Sequence, residues 1–355
     1  MSPGPAKRVV VTGASGNVGS SVLRELNDDP DVGTIVAIAR RCPEWTVDKA
    51  EWAVADVATD DLVPLLAGAD VVIHLAWLLQ PARTPVTTWE ANVIGSVRVF
   101  EATAAAGVPA LVYASSVGAY SPGPKDTMVD ESWPTHGWPA ASYTREKAYL
   151  ERVLDGFEAQ HPDVRVVRMR PGFLFQWEAA SEQRRLFAGP LLPQRLVRPS
   201  MIPVVPDLPG LRMQVLHTDD AALAYRLAAL DGHARGAYNL ATEPVLDAPL
   251  LAELLGARVV PLPVWALRGP LVAAWRLHLT PADPDLFDAV LRLPLMDSTR
   301  ARDELGWTPR YDAATTVGEL LAGMRDVGGL PTPPLEPTVP GGRAHELRTG
   351  PGSTP

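Results

Sequence analysis

The apolar positions of this chain follow two rhythms. Short β-branched runs at Lys7 to Thr12 and Thr34 to Ala39 are continuous enough to be buried strands. Further strands are predicted at Val54 to Val57, which contains an acid, Val71 to Ala76 and Ala110 to Ser116, and a sixth precedes Arg170-Pro171-Gly172. Between them apolar residues fall three and four apart: Val22, Leu23 and Leu26 after the first run, then Val93, Val97, Phe100 and Ala104 within a helix predicted over Thr88 to Ala106. Buried strands alternating with amphipathic helices predict an α/β fold built on a doubly wound parallel sheet. From Phe175 to about Leu216, and again from Val245 to about Met324, the alternation dissolves into Pro, Leu, Arg and Trp. The reading is a core over 1–174 completed by 217–244, and a smaller, discontinuous C-terminal substrate lobe over 175–216 and 245–327. A Pro-rich tail over 328–355 is expected to be disordered, because it cannot bury enough apolar area to order itself.

The first strand breaks into three evenly spaced glycines, Gly13, Gly16 and Gly19, and a helix follows. At such a turn the first glycine permits the bend, the second lets backbone N–H groups approach a pyrophosphate, and the third lets helix and strand pack closely. Ser15, Asn17 and Val18 complete the turn, and the helix N-terminus faces the phosphates with its partial positive charge. The second strand ends in Arg40-Arg41, where an acid would hold an adenosine 2′-hydroxyl and an arginine accommodates a 2′-phosphate. NADP(H) is therefore favoured. NAD(H) stays possible, with Glu44 able to serve it if the loop folds back.

Tyr143 and Lys147 are four apart on one predicted helix, so they share a face. A phenol with a pKa of about 10 is a poor proton-transfer group near neutrality. A neighbouring ammonium favours the phenolate, and Ser116, delivered to the carboxyl edge of the sheet by the fifth strand, can orient a reacting oxygen toward Tyr143. Lysine is rare in this arginine-preferring chain, occurring only at Lys7, Lys49, Lys125 and Lys147, which suggests that a compact ammonium is required at the last of these. His74, with no partner in the sequence, reads as a packed residue near a strand end and not as a catalytic one.

These motifs in this order resemble the extended short-chain dehydrogenase/reductase superfamily, the NAD-dependent epimerase/dehydratase-like group, whose core is a Rossmann fold. Its marks run from Gly13/Gly16/Gly19 through Asp56, Leu75-Ala76, Asn92, Ser115-Ser116 with Tyr120, and Tyr143/Lys147. They continue through Arg170-Pro171-Gly172, His217 to Asp220, Tyr238 to Leu240 and Ala301 to Trp307. The resemblance implies that Tyr143 is the general acid/base, that Lys147 holds the nicotinamide ribose, and that Ser116 positions the substrate oxygen. It implies that Asp56, with Val57 beside it, meets the adenine, although a local cap is an equally simple use of that acid. It places Leu75 and Ala76 along the ribose, Pro171 and Phe173 at the nicotinamide, and gives Asn92 a supporting role in keeping the catalytic region in register. A homodimer through the helices near 89–106 and 143–160 follows from the same likeness. The chain departs from nucleotide-sugar dehydratases in having Val117-Gly118-Ala119 where an Asp-Glu pair is usual, and from sugar-nucleotide epimerases in lacking an asparagine after the sixth strand.

The favoured reading is thus an NAD(P)(H)-dependent oxidoreductase working at a secondary alcohol or ketone carbon of a small molecule of modest polarity. The alternatives are an epimerase with tightly bound, recycled NAD, and a non-catalytic NADP-sensing scaffold. Charge narrows the partners: at a formal −9 there is no positive field to attract nucleic acid or anionic lipid. With Cys42 as the single cysteine, a cysteine zinc site is excluded and no metal is expected; the location expected is the cytoplasm. Val264 to Leu279 mixes large apolar residues with Arg268 and Arg276, but Gly269-Pro270 is expected to interrupt that helix, and no membrane insertion is expected.

Overall fold

The computed structural model describes residues 6–80, 83–189 and 201–338. Its main sheet has seven strands: β1 (Lys7–Thr12), β2 (Val32–Ala39), β3 (Ala50–Val54), β4 (Val71–His74), β5 (Ala110–Ala114), β6 (Arg165–Pro171) and β7 (Gly236–Leu240). All neighbours pair in parallel, in the order 3-2-1-4-5-6-7. The order reverses between β1 and β4, and in open parallel sheets the crevice outside the strand ends at that point takes the ligand.

Alternate residues of each strand feed opposite faces of the sheet. Val9, Val11, Ile35, Ala37 and Ile73 face helices α1 (Asn17–Asn27) and α4 (Thr218–Leu230), through Val22, Leu23 and Leu26 of the one and Ala221, Ala224, Tyr225 and Ala228 of the other. Val10, Ile38, Val72, Leu111 and Val166 face α2 (Gly95–Ala105) and α3 (Ser142–Gln160), through Val99, Phe100, Leu150, Leu154 and Phe157. A strand covered on both faces has no polar side to show, so the sequence reads as continuous apolar runs.

The element bounds differ from the sequence expectations where pairing is one-sided or ends early. The third strand is Ala50–Val54 and not Val54 to Val57, because an edge strand bonded only to β2 is half exposed and carries no continuous apolar run. β4 stops at His74 and β5 at Ala114, two residues short of the runs that announced them, leaving Leu75-Ala76 and Ser115-Ser116 as loops at the carboxyl edge. The helix expected over Thr88 to Ala106 is a single turn at Pro85–Thr88, a wide π-type stretch at Trp89–Ile94, and then α2.

The remainder forms the smaller region. Val204–Asp207 pairs in parallel with Arg258–Pro261, and Phe173–Phe175 with Val215–His217, around helices Ala248–Leu255 and Ala313–Asp326. Helix Val264–Arg276 runs unbroken through Gly269-Pro270, contrary to expectation. None of its residues is buried, so the Ala266 carbonyl that Pro270 deprives of a donor can turn to water. The expectation of disorder from residue 328 is also corrected: Leu330 and Leu335 are buried against Ala179, and Arg185 donates to the carbonyls of Pro334 and Glu336. The rest of the expected tail, 339–355, lies outside the described residues, as does 190–200 of the lobe, including Leu191-Leu192-Pro193.

Candidate active site at the carboxyl edge of the sheet

The glycine turn is built on close approach. Gly13 has φ +71°, and a Cβ there would lie 2.6 Å from the Ala76 nitrogen. A Cβ on Gly19 would fall 2.3 Å from the Gly13 carbonyl oxygen, so only glycine lets α1 press onto the turn. Around Gly16 the nearest atom is 3.4 Å away, which keeps the front of the turn clear. Ala14 donates to the Ile38 carbonyl at 3.2 Å, tying the turn to the end of β2. No side chain caps α1 and no acid lies in its first turn, so its positive end is uncompensated by the protein. Such a cradle, closed up behind Gly13 and Gly19 and clear in front of Gly16, fits a pyrophosphate.

The other sequence-expected residues cluster on the same edge. Arg40 and Arg41 are exposed immediately past β2. Asp56 lies past β3 in a local turn, its Oδ1 accepting the Ala58 N–H at 2.9 Å, and Val57 is buried where its carbonyl takes Arg98 at 3.2 Å. Leu75 and Ala76 lean over Gly13. The Asn17 side chain accepts from Gln176 at 2.8 Å and from Thr218, the first residue of α4, at 3.2 Å; Ser15 lies in the turn before it and Val18 in the first turn of α1. Pro171 ends β6 opposite Leu240 of β7. Phe173 packs against Val117, Tyr120 and Met296. Cys42 is exposed, and among the described residues no three metal-ligating side chains converge.

Tyr143, Lys147 and Ser116 are brought together. α3 begins at Ser142, so Tyr143 and Lys147 occupy its first two turns, facing the loop after β5. The Lys147 Nζ donates to the Ala114 carbonyl at 2.6 Å. Ser116 Oγ accepts the Gly118 N–H at 2.9 Å and is hydrogen-bonded to the Tyr143 hydroxyl. Gly118 is required here by side-chain contact: a Cβ would lie 2.7 Å from Tyr143 Cε1. Contrary to the lowering expected from a neighbouring ammonium, burial raises the Tyr143 phenol above its ordinary pKa, with the Ser116 hydrogen bond opposing and the Glu146 charge adding to the rise. Burial also pushes Lys147 well below the usual lysine value, against the pull of Glu146 and Glu151.

Asn92, given a supporting role by the sequence, holds this centre together with residues that sequence reasoning passed over. The Trp77 ring lies 3.4 Å from the Lys147 Nζ, centroid to nitrogen, and edge-on to Tyr143 at 5.7 Å between ring centroids. Asn92 clamps the backbone of Leu78, accepting its N–H at 2.6 Å and donating to its carbonyl at 2.9 Å, while Glu146 accepts from Asn92 at 2.8 Å and from Thr88 at 2.7 Å. Glu151, one helical turn past Lys147, accepts Ser115 Oγ at 2.6 Å and is gripped by Arg170 and Arg168. Burial would raise the Glu151 carboxyl, but the Arg170 hydrogen bonds and charge hold it at about 2. The spacing of Lys147 and Glu151 was the available signal, as were Arg168 and Arg170, alternate in register within a buried strand that also carries Arg165. Trp77 gave none, since an aromatic after a strand reads as core.

His74 is structural, as the sequence suggests. It bonds Thr12 Oγ1 at 2.6 Å and Ser96 Oγ at 2.9 Å, and burial, helped by the Lys147 charge, lowers it to about 3.

Sheet order, glycine cradle and edge cluster define a dinucleotide-binding protein of the Rossmann type. The family model described as NAD dependent epimerase/dehydratase family matches residues 9–241, and the chain belongs to that family. An uncharacterised protein of Mycobacterium tuberculosis is 26% identical over 344 residues, covering 93% of this chain and 86% of its own length. The 4-hydroxy-2-methyl-3-oxo-4-farnesyl-3,4-dihydroquinoline-1-oxide ketoreductase of Stigmatella aurantiaca is 28% identical over 181 residues, covering 47% of this chain and 50% of its own. Among solved structures, the UDP-glucose 4-epimerase of Thermus thermophilus in complex with NAD shares the fold, with a TM-score of 0.65, 21% identity, and coverage of 90% of this chain and 99% of that one. Among the described residues no helix is long and apolar enough to cross a membrane.

Proposed function

We propose that the protein is an NAD(P)(H)-dependent oxidoreductase that interconverts a secondary alcohol and a ketone, with Tyr143 as acid/base. The observation that carries this reading is the convergence of Tyr143, Ser116 and Lys147 on the carboxyl edge of the sheet, facing the loop that runs back over Gly13. The glycine turn and the N-terminus of α1 hold the pyrophosphate of the dinucleotide, and Lys147 holds the ribose next to the nicotinamide. Bound there, the nicotinamide supplies or accepts the hydride.

The residues of the chain handle the proton. In the reductive direction Tyr143, a neutral phenol because burial raises its pKa, donates its O–H proton to the carbonyl oxygen as the carbon becomes tetrahedral. Ser116 donates to the same oxygen and fixes its direction. The ammonium of Lys147 then stabilises the phenolate left behind, and water restores the proton. In the oxidative direction the same groups act in reverse, the phenolate taking the alcohol proton. Arg40 and Arg41 support a 2′-phosphate, hence NADP(H), since an exposed guanidinium pair suits a dianion. The apolar side chains of Val117, Phe173, Leu293 and Met296 beside Ser116 support a substrate of modest polarity; the cavity they share with Lys125, Arg212 and Gln214, about 10 Å³, holds no more than a water. A Stigmatella relative named as a ketoreductase of a farnesylated ring agrees with this chemistry.

The test is to denature freshly purified protein, identify any released nucleotide, and titrate NADPH and NADH into stripped protein. An exchangeable site preferring NADPH supports the reductase reading. Stoichiometric retained NAD(H) turns it to an epimerase that oxidises and re-reduces one carbon. Tyr143→Phe should abolish NADPH-dependent ketone reduction while leaving NADPH binding intact; an unchanged rate overturns the role given to Tyr143.

A further inference from the structure

We infer that Trp77 is a positioning residue of this site: its indole face holds the Lys147 ammonium beside Tyr143, and Glu146 keeps Trp77 in place through Asn92 and the backbone of Leu78. The ammonium has two fixed neighbours, the Ala114 carbonyl at 2.6 Å and the Trp77 ring at 3.4 Å. Together they set the direction of a side chain that otherwise has four rotatable bonds to spend. The indole also meets the Tyr143 ring at 5.7 Å, so one aromatic side chain touches both members of the pair.

Packing alone does not account for the arrangement. The Trp77 Nε1 is buried and has no hydrogen-bond partner among the described residues, so the ring is not held by its polar atom. It is held by its faces and by its backbone anchor. Asn92 accepts the N–H of Leu78, the next residue, and donates to its carbonyl, and Glu146, itself held by Thr88, locks Asn92 from behind. Glu146 precedes Lys147 directly, so the clamp and the ammonium share one turn of α3.

An aromatic face suits this site because it favours an ammonium without adding a competing hydrogen-bond acceptor. The other groups around Lys147 are Tyr113 of β5, whose ring is 5.2 Å from the nitrogen, Glu146 and Glu151 of α3, and His74 of β4, kept neutral by burial. Burial of the nitrogen works against its charge, the two carboxylates work for it, and the indole face adds to them.

The chain has four lysines, so labelling with ε-¹³C-lysine yields four side-chain signals, and Lys147→Arg identifies the one of interest. The protons next to Nζ of Lys147 should be displaced upfield by the indole ring current, apart from the other three. Trp77→Leu keeps the site apolar and should abolish that displacement while weakening protonation of Lys147 about 2- to 30-fold, the range of a cation–π contact. Trp77→Phe should keep part of both effects, and decides the matter should the leucine variant not fold. Glu146→Ala should lose the displacement; Glu146→Gln should keep it, because its amide can accept from Asn92 and donate to Thr88. An undisplaced wild-type signal, or a Trp77→Leu titration matching wild type, overturns the inference. One further arm rests on the oxidoreductase reading: Trp77→Leu should weaken NADPH binding. Intact NADPH affinity together with the lysine results supports the positioning role and overturns the contact between Lys147 and the cofactor.

Discussion

The guanidinium of Arg170 grips the carboxylate of Glu151 through both oxygens, Nε to Oε1 and Nη2 to Oε2, each at 2.9 Å. The first residue is the last but one of β6 and the second lies one turn past Lys147 on α3, so the pair fastens that helix to the sheet. Glu151 also accepts from Ser115, next to Ser116, and Arg170 donates to the Tyr120 hydroxyl at 2.9 Å.

Removing one partner of a buried pair strands the other. Glu151→Ala leaves the buried guanidinium of Arg170 without its counter-charge, and Arg168 with only Asp155 and Glu158. It is expected to cost about 3–5 kcal/mol in urea unfolding. A cost near zero would show that the pair does not fasten the helix.

His74 sets a pH dependence of the fold. Its folded pKa is about 3 and its ordinary value 6.5, so between those pH values the unfolded chain binds a proton that the folded chain does not. Stability therefore falls as the pH drops through that window, by up to about 1.4 kcal/mol per pH unit from this group. His74→Asn should flatten the slope between pH 6.5 and 5 relative to wild type, measured by urea unfolding at each pH. An equal slope would assign the effect elsewhere.

The three glycines of the turn should respond unequally. Gly19→Ala forces a Cβ onto the Gly13 carbonyl and should cost about 1–3 kcal/mol and impair NADPH binding. Gly16→Ala meets nothing nearer than 3.4 Å and should fold normally, its penalty confined to the nucleotide. Calorimetry of both variants, with and without NADPH, separates the two effects. Equal loss of stability in both would contradict the geometry.

Much of the site was legible because its parts are local. Gly13, Gly16 and Gly19 announce a turn by their spacing, and Tyr143 and Lys147 share a face by theirs. Ser116 follows a strand whose apolar run is plain. Glu146 was not legible: a glutamate on a helix reads as solvated, and only the approach of Asn92 and Thr88, 54 and 58 residues away in sequence, makes it a buried clamp. Trp77 was hidden in the same way, since its partner Lys147 lies on another element. Pro270 misled because its cost is local while the tolerance for it comes from the solvent exposure of the whole helix.

The sequence by itself determined the parallel doubly wound sheet, because strands covered on both faces must be apolar throughout and helices covered on one must be apolar in stripes. It also determined the nucleotide turn and the Tyr143–Lys147 spacing, which depend on backbone sterics and helix period alone. Tertiary structure decided where the strands end, that residues 328–338 are packed, and which charges are buried together. Those outcomes depend on desolvation and on partners distant in the chain, and neither is written in any local pattern of residues.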